Sequence, residues 1–303
     1  MTGASEPPVL AIDIGGTKIA AAIVKGASVI ARRQAPTPRS GAGDDLVEAL
    51  ASLAQPLCSE SEGLAVATTG VVDAGCVTAI NPATLPIEDR YPVAERLGRR
   101  LSRVSPCVLV NDAHAAAWGE FRYGAGRGTR DFAFLTISTG VGGGLILNDR
   151  LIIGRRGIAG HFGHVLANPS GPVCGCGRIG CVEAIASGAA IAREASALLG
   201  QKVDAVGVFE RAEGGDALCD AILGRAAACI AGLAGDLVAA LDVELIVPGG
   251  GVGLASGFFN RVISASRTLS PSLRPTLARG ALGADAGLIG AAALILADET
   301  KGR

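Results

Sequence analysis

The sequence predicts an α/β fold of two related lobes, and three observations carry that expectation. An apolar run, a small-residue turn and a second apolar run occur at Val9 to Asp13, Gly15-Gly16-Thr17 and Ile19 to Val24. The same order returns about 125 residues later, at Phe132 to Ser138, Thr139 to Gly144 and Leu145 to Leu147, as an internal repeat would place it. A third glycine cluster, Pro248-Gly249-Gly250-Gly251, closes the apolar run Leu245-Ile246-Val247. That is the strand end at which open α/β sheets bind ligands.

In chain order, two short runs about a glycine turn read as a β-hairpin. Gly15-Gly16-Thr17 lacks the third spaced glycine of a dinucleotide fingerprint and is not G-x4-G-K-[ST]. Such a turn can offer backbone N–H groups to phosphate oxygens, and a plain hairpin turn remains the alternative. The second copy and the third cluster favour a nucleotide cleft between the lobes. Asp44 to Leu57 has helical spacing, Leu64 to Thr69 reads as a strand, and Asn81-Pro82 is turn chemistry. Val93 to Leu101 is an amphipathic helix. Cys107 to Val110 is a buried strand ending at Asn111-Asp112, and a helix follows to about Tyr123. Asp112 is either the N-cap of that helix or a general base, with the Asn111 amide beside it to orient a hydroxyl. Ser187 to Leu199, Asp216 to Leu241 and Ala286 to Ala297 complete the helices. The lobes are expected at residues 1–118 and 119–285, with residues 286–303 a helix returning to the first lobe.

Apolar residues make up 49% of the 303 residues and aromatics 3%, so the core must be built from Ala, Val, Leu and Ile. A net charge of −1 gives no electrostatic footprint for nucleic acid or an anionic membrane. The start, MTGASEPP, is no basic-plus-apolar leader, and the expectation is a cytoplasmic protein. Ala286 to Ala297 falls short of the ~18 apolar residues that span a bilayer.

Gly157 to Glu183 gathers two of the three histidines and three of the eight cysteines into a stretch full of Gly and Pro. His164, Cys174, Cys176 and Cys181 form H-x9-C-x-C-x4-C, the ligand set of a closed, structural zinc site. Reduced buried cysteines, or a strained Cys174–Cys176 bridge, are the alternatives. His161 is spare, either a packed side chain or one that faces a cavity. Cys58, Cys76, Cys107, Cys219 and Cys229 read as small hydrophobes.

Taken together, Asp13-x-Gly15-Gly16-Thr17-Lys18, Asn111-Asp112, Thr139-Gly140-Val141-Gly142-Gly143, Gly160-x-x-Gly163-His164 and Cys174-x-Cys176-Gly177-x-x-Gly180-Cys181-x-Glu183 resemble the ROK family of sugar kinases. The likeness runs from about Ala11 to Leu296 and implies the actin-like ATPase (ribonuclease H-like) fold. By that resemblance, Ala11, Ile12, Asp13, Ile14, Gly15, Gly16, Thr17 and Lys18, with Thr139, Gly140, Val141, Gly142, Gly143 and Gly144, form the two ATP phosphate hairpins. Gly250 and Gly251 then lie near the adenosine, Asp13 helps place Mg2+, and Asp112 is the base for a sugar hydroxyl. Asn81, Asn111, His161, His164 and Glu183 are the expected sugar contacts, with His164, Cys174, Cys176 and Cys181 on structural Zn2+.

One departure bears on the sugar. Where the family commonly has E-x-G-H, this chain has His161-Phe162-Gly163-His164. That run resembles the family's bacterial N-acetylmannosamine kinases. An imidazole can donate a hydrogen bond to an N-acetyl carbonyl, which a carboxylate cannot. The implied reaction is ATP-dependent phosphorylation of N-acetylmannosamine at the 6-hydroxyl, in sialic acid catabolism. A glucokinase or other hexosamine kinase of the same fold is the alternative. A sugar-responsive repressor needs a helix-turn-helix, for which the twelve residues before Asp13 are too few. The resemblance also implies a homodimer.

Overall fold

The structure, a computed structural model, describes residues 6–81, 84–101 and 107–301, with side chains up to residue 297. The chain forms two α/β units. The first holds residues up to 127, the excursion 153–159 and the C-terminal residues from 285. The second holds residues 128–152 and 160–284.

In the first unit, β1 (Val9–Ile14), β2 (Lys18–Lys25) and β3 (Ser28–Pro36) form an antiparallel meander. Helix α1 (Gly43–Ala54) turns Leu46, Val47, Leu50 and Ala54 into the core and opens with Asp44 and Asp45 at its positive end. β4 (Gly63–Thr68) pairs parallel with β1, a small hairpin follows as β5 (Val71–Asp73) and β6 (Cys76–Thr78), and α2 (Val93–Arg100) buries Val93 and Leu97. β7 (Cys107–Asn111) pairs parallel with β4, giving the order β3-β2-β1-β4-β7, and leads directly into α3 (Asp112–Tyr123). The core beneath α1 and α2 is aliphatic, with Leu10, Ile12, Ile14, Leu50, Leu64 and Leu97 fully closed off.

The second unit repeats the motif. β8 (Phe132–Ile137) and β9 (Val141–Leu147) form a hairpin, extended by the short β10 (Arg150–Leu151). The stretch 160–181 is a loop with one 3-10 turn and two isolated bridges, Leu166 with Cys181 and Val173 with Ile179. Helices α4 (Val182–Ala186), α5 (Gly188–Leu199), α6 (Ala205–Glu213) and α7 (Ala217–Leu241) follow. Asp216 caps α7 through Leu218 N and Cys219 N. β11 (Leu245–Gly249) then pairs parallel with β8, and α8 (Gly250–Gly253) and α9 (Phe258–Ser266) close the unit. By length and composition α7 could cross a membrane, yet Ile222, Ala226, Ile230, Leu233 and Leu237 lie in the unit's core.

α10 (Ala286–Lys301) packs on α3, β4 and β1 of the first unit. The composition expectation holds in both cores, which are built from Ala, Val, Leu and Ile with few aromatic rings. All eight cysteines are free thiols, which removes the Cys174–Cys176 bridge; Cys107 is exposed and is not a packed hydrophobe.

Candidate active site and metal centre

The two hairpins turn through three residues each, 15–17 and 138–140, since β1 ends at Ile14 and β8 at Ile137. In the first, Gly15 N–H donates to Lys18 O at 3.0 Å and Thr37 Oγ1 donates to Gly15 O at 2.7 Å. The Arg39 guanidinium donates to Gly16 O and, at 3.3 Å, to Thr84 O. A Cβ on Gly16 would sit 2.7 Å from Thr84 Cγ2, so only glycine lets Thr84 lie this close. Thr84 N–H donates to Asn81 O at 2.9 Å, which brings Asn81 to the first turn; Pro82 falls outside the described residues.

Ala11, Ile12 and Ile14 are buried in β1, hydrogen-bonded into the sheet on both sides, so what they contribute is the position of the turn. Of the residues 139–144 expected in the second turn, only Thr139 and Gly140 belong to it. Val141, Gly142, Gly143 and Gly144 are strand residues paired with β8. A Cβ on Gly143 would strike Phe162, so this glycine admits the Phe162 ring against the strand. Gly250, at φ +79°, lies against Ile137, and Gly251 opens to free space beside it. The second and third glycine clusters are therefore adjacent.

Asp13, near the end of β1, and Asp112, at the start of α3, feel each other's charge. Burial first, and the Asp112 carboxylate second, push the Asp13 carboxyl up to about 7. Burial raises Asp112 as well, opposed by the amide of Ala113, which donates to its Oδ1 at 2.8 Å. The N-cap of α3 is Asn111, not Asp112. Asn111 Oδ1 accepts from Ala113 N at 3.0 Å and His114 N at 3.1 Å, while Nδ2 donates to Gly70 O at 2.9 Å. Capping is thus taken from Asp112, whose carboxylate accepts from Ala113 N and from the Asn111 side chain. Two half-buried carboxylates that feel each other's charge fit a hard divalent cation such as Mg2+, which oxygen ligands favour.

His164 Nδ1, Cys174 Sγ, Cys176 Sγ and Cys181 Sγ all lie within 4.8 Å of one another. The Cys176–Cys181 sulfur separation is 3.8 Å and His164 Nδ1 is 3.7 Å from Cys174 Sγ. A tetrahedron with metal–sulfur bonds of ~2.3 Å has edges of ~3.8 Å. The donor set and its spacing therefore fit zinc. With Nδ1 turned to the thiols, Nε2 of His164 is the ring's other donor. Glu183 Oε2 accepts from Val141 N at 3.0 Å.

His161 precedes the 3-10 turn Phe162–His164 and is half-buried. The motifs gave no sign of His114, whose Nε2 lies 2.5 Å from Ala159 O, tying α3 to the chain two residues before His161. Nor did they point to Arg39 or Thr37, the braces of the first turn. A buried imidazole on a strand-to-helix turn was the one available hint.

The ROK family profile matches residues 9–298. The chain belongs to the ROK family. Among ROK relatives, it is 46% identical over 286 residues to the N-acetylmannosamine kinase of Yersinia pseudotuberculosis serotype O:1b (strain IP 31758), covering 93% of this chain and 96% of that one. It is 35% identical to a solved ROK hexokinase from Thermus thermophilus, with a TM-score of 0.81 and coverage of 96% and 99%. It is 31% identical to a ROK glucokinase from Streptomyces griseus solved with glucose and AMPPNP, with a TM-score of 0.79 and coverage of 95% and 98%. The chain is a ROK sugar kinase with the actin-like ATPase fold of these structures.

Proposed function

We propose that this kinase transfers the γ-phosphoryl group of ATP to the 6-hydroxyl of N-acetylmannosamine. The observation that carries the reading is its likeness, over nearly the whole chain, to the Yersinia N-acetylmannosamine kinase. His161 supports it, as a donor where an acetyl carbonyl needs one.

In this reading Asp112 accepts the proton of the attacking hydroxyl, and its half-buried carboxyl, raised from the ordinary value by desolvation, makes it a stronger base than an exposed Asp. The amides of the two glycine turns steady the phosphate oxygens, and most of the acceleration comes from positioning and electrostatics. Asp13 would hold Mg2+, which would supply charge neutralisation to the phosphates. Asn111 orients the base through its cap and keeps one amide N–H for the sugar. His164, Cys174, Cys176 and Cys181 would hold zinc, which shapes the sugar loop and fixes the tautomer of His164. A homodimer, a cytoplasmic location and a place in sialic acid catabolism belong to the same proposal.

The rival is a hexokinase or glucokinase, favoured by the two solved kinases above. A competition assay with N-acetylmannosamine, N-acetylglucosamine and glucose decides between them. Preference for N-acetylmannosamine is expected, and preference for glucose overturns the proposal.

A further inference from the structure

We infer that Glu183 is a positioning residue that couples the Cys3His centre to the second glycine turn, so that metal occupancy governs nucleotide affinity as well as loop shape. The inference rests on the phosphate-binding role proposed for that turn.

Glu183 stands in the first turn of α4, two residues after Cys181, which is itself the N-cap of that helix. Its Oε1 lies 3.9 Å from Cys174 Sγ, and its Oε2 accepts from Val141 N at 3.0 Å. A Cβ on Gly140 would come within 2.6 Å of Oε2, so the carboxylate rests directly on the backbone of the turn. One carboxylate therefore faces a metal-ligating sulfur with one oxygen and the turn with the other. An oxygen held by the Val141 amide works inside the protein as a strut.

The residues that follow complete the grip. Gly188 N–H donates to Ser138 O at 2.7 Å and Ala189 N–H to Thr139 O at 3.2 Å. Ser187 caps α5 through Ala190 N at 3.1 Å, which fixes the start of the helix that supplies those two amides. The turn 138–140 is thus held from 183–189, a segment that starts two residues after Cys181 of the Cys3His cluster. The first turn is braced differently, by Thr37 and Arg39, and the Cys3His cluster lies in the other unit. Only one of the two phosphate turns is built on the metal centre, and that asymmetry gives the coupling its direction.

The test is calorimetric titration of the full-length protein with AMPPNP and Mg2+, with zinc content measured in parallel. Glu183→Ala should weaken AMPPNP binding on the order of tenfold while zinc is retained. Glu183→Gln, which keeps an acceptor for the Val141 amide, should restore most of the affinity. Stripping zinc with a chelator should weaken AMPPNP binding in the parent and much less in Glu183→Ala, because the strut is already gone. Unchanged AMPPNP affinity in Glu183→Ala, or an equal chelator effect in both proteins, overturns the coupling. If Glu183→Ala does not fold, the decision passes to Glu183→Gln: parent-like affinity and chelator response support the coupling, and loss of that response refutes it. Thr139→Glu, at the exposed tip, separates the two ideas. If it leaves AMPPNP affinity intact, the turn is not a phosphate site and the underlying reading fails; if it alone weakens binding, only the coupling fails.

Discussion

Asp112 is pulled two ways, since burial favours its neutral form while the Ala113 amide and the positive end of α3 favour the carboxylate a base requires. Replacing it with Asn should lower kcat by about 10²–10⁴-fold and leave AMPPNP binding intact. Near-native turnover would refute the assignment. Its neighbour sets a pH signature. Because the Asp13 carboxyl is raised from 3.8 to about 7, the folded protein holds that proton more tightly than the unfolded chain does. The resulting stability is complete below the unfolded value and is lost as pH rises through about 7. In the absence of Mg2+, Asp13→Asn should therefore raise Tm relative to the parent at pH ~8 and much less at pH ~4. Equal Tm differences at both would show that Asp13 is not the titrating group. Both carboxylates were legible from their places at strand ends. The split between Asn111 as cap and Asp112 as candidate base was not, because it depends on which side chain turns back over the first amides. Arg39 left no trace in the sequence, since its role is to reach two carbonyls distant along the chain.

The loop that brings His164, Cys174, Cys176 and Cys181 together was the most readable element, because ligand chemistry restricts residue type and spacing more tightly than packing does. Its glycines carry as much of the design as its ligands. Gly180 has φ +76°, and a Cβ there would fall 1.6 Å from Asn168 O, the carbonyl that accepts from Gly171 N in a turn of the same loop. Gly180→Ala should cost at least about 1 kcal/mol in denaturant unfolding and reduce bound zinc, because Cys181 follows directly. Full zinc content and parental stability in that variant would show that the loop tolerates a shifted backbone. Elements without such chemistry went unread. β3 is an edge strand whose side chains are mostly exposed, so SVIARRQAP has only the short apolar stretch Val29-Ile30-Ala31 to announce it. α6 buries only Val208 and α8 has four residues, too little for periodicity to register. The second hairpin was legible as a repeat, yet the sequence overstated its turn, for Gly143 and Gly144 serve strand packing.

Across the molecule, the helix that begins with Asp112 is set by a glycine contact far from any motif. Gly119 in α3 and Gly290 in α10 face each other. A Cβ on Gly290 would lie 1.7 Å from Ala115 O, and one on Gly119 would lie 2.7 Å from Ala286 O. Glycine inside a helix costs about 1 kcal/mol relative to Ala, so two at one crossing need a reason, and the approach of the two backbones supplies it. The sequence marked α10 as an apolar helix and showed its glycines, but only the packing reveals that they set the height of α3 and hence of Asp112. Gly290→Ala should push the helices apart, lowering stability by about 1–3 kcal/mol and reducing kcat. Zinc content should stay at the parental level, because the ligands belong to the other unit. Unfolding curves, turnover and metal analysis on one preparation make the comparison. Parental stability and kcat would mean that the crossing has slack, whereas loss of zinc together with stability would mean that the two units do not respond separately.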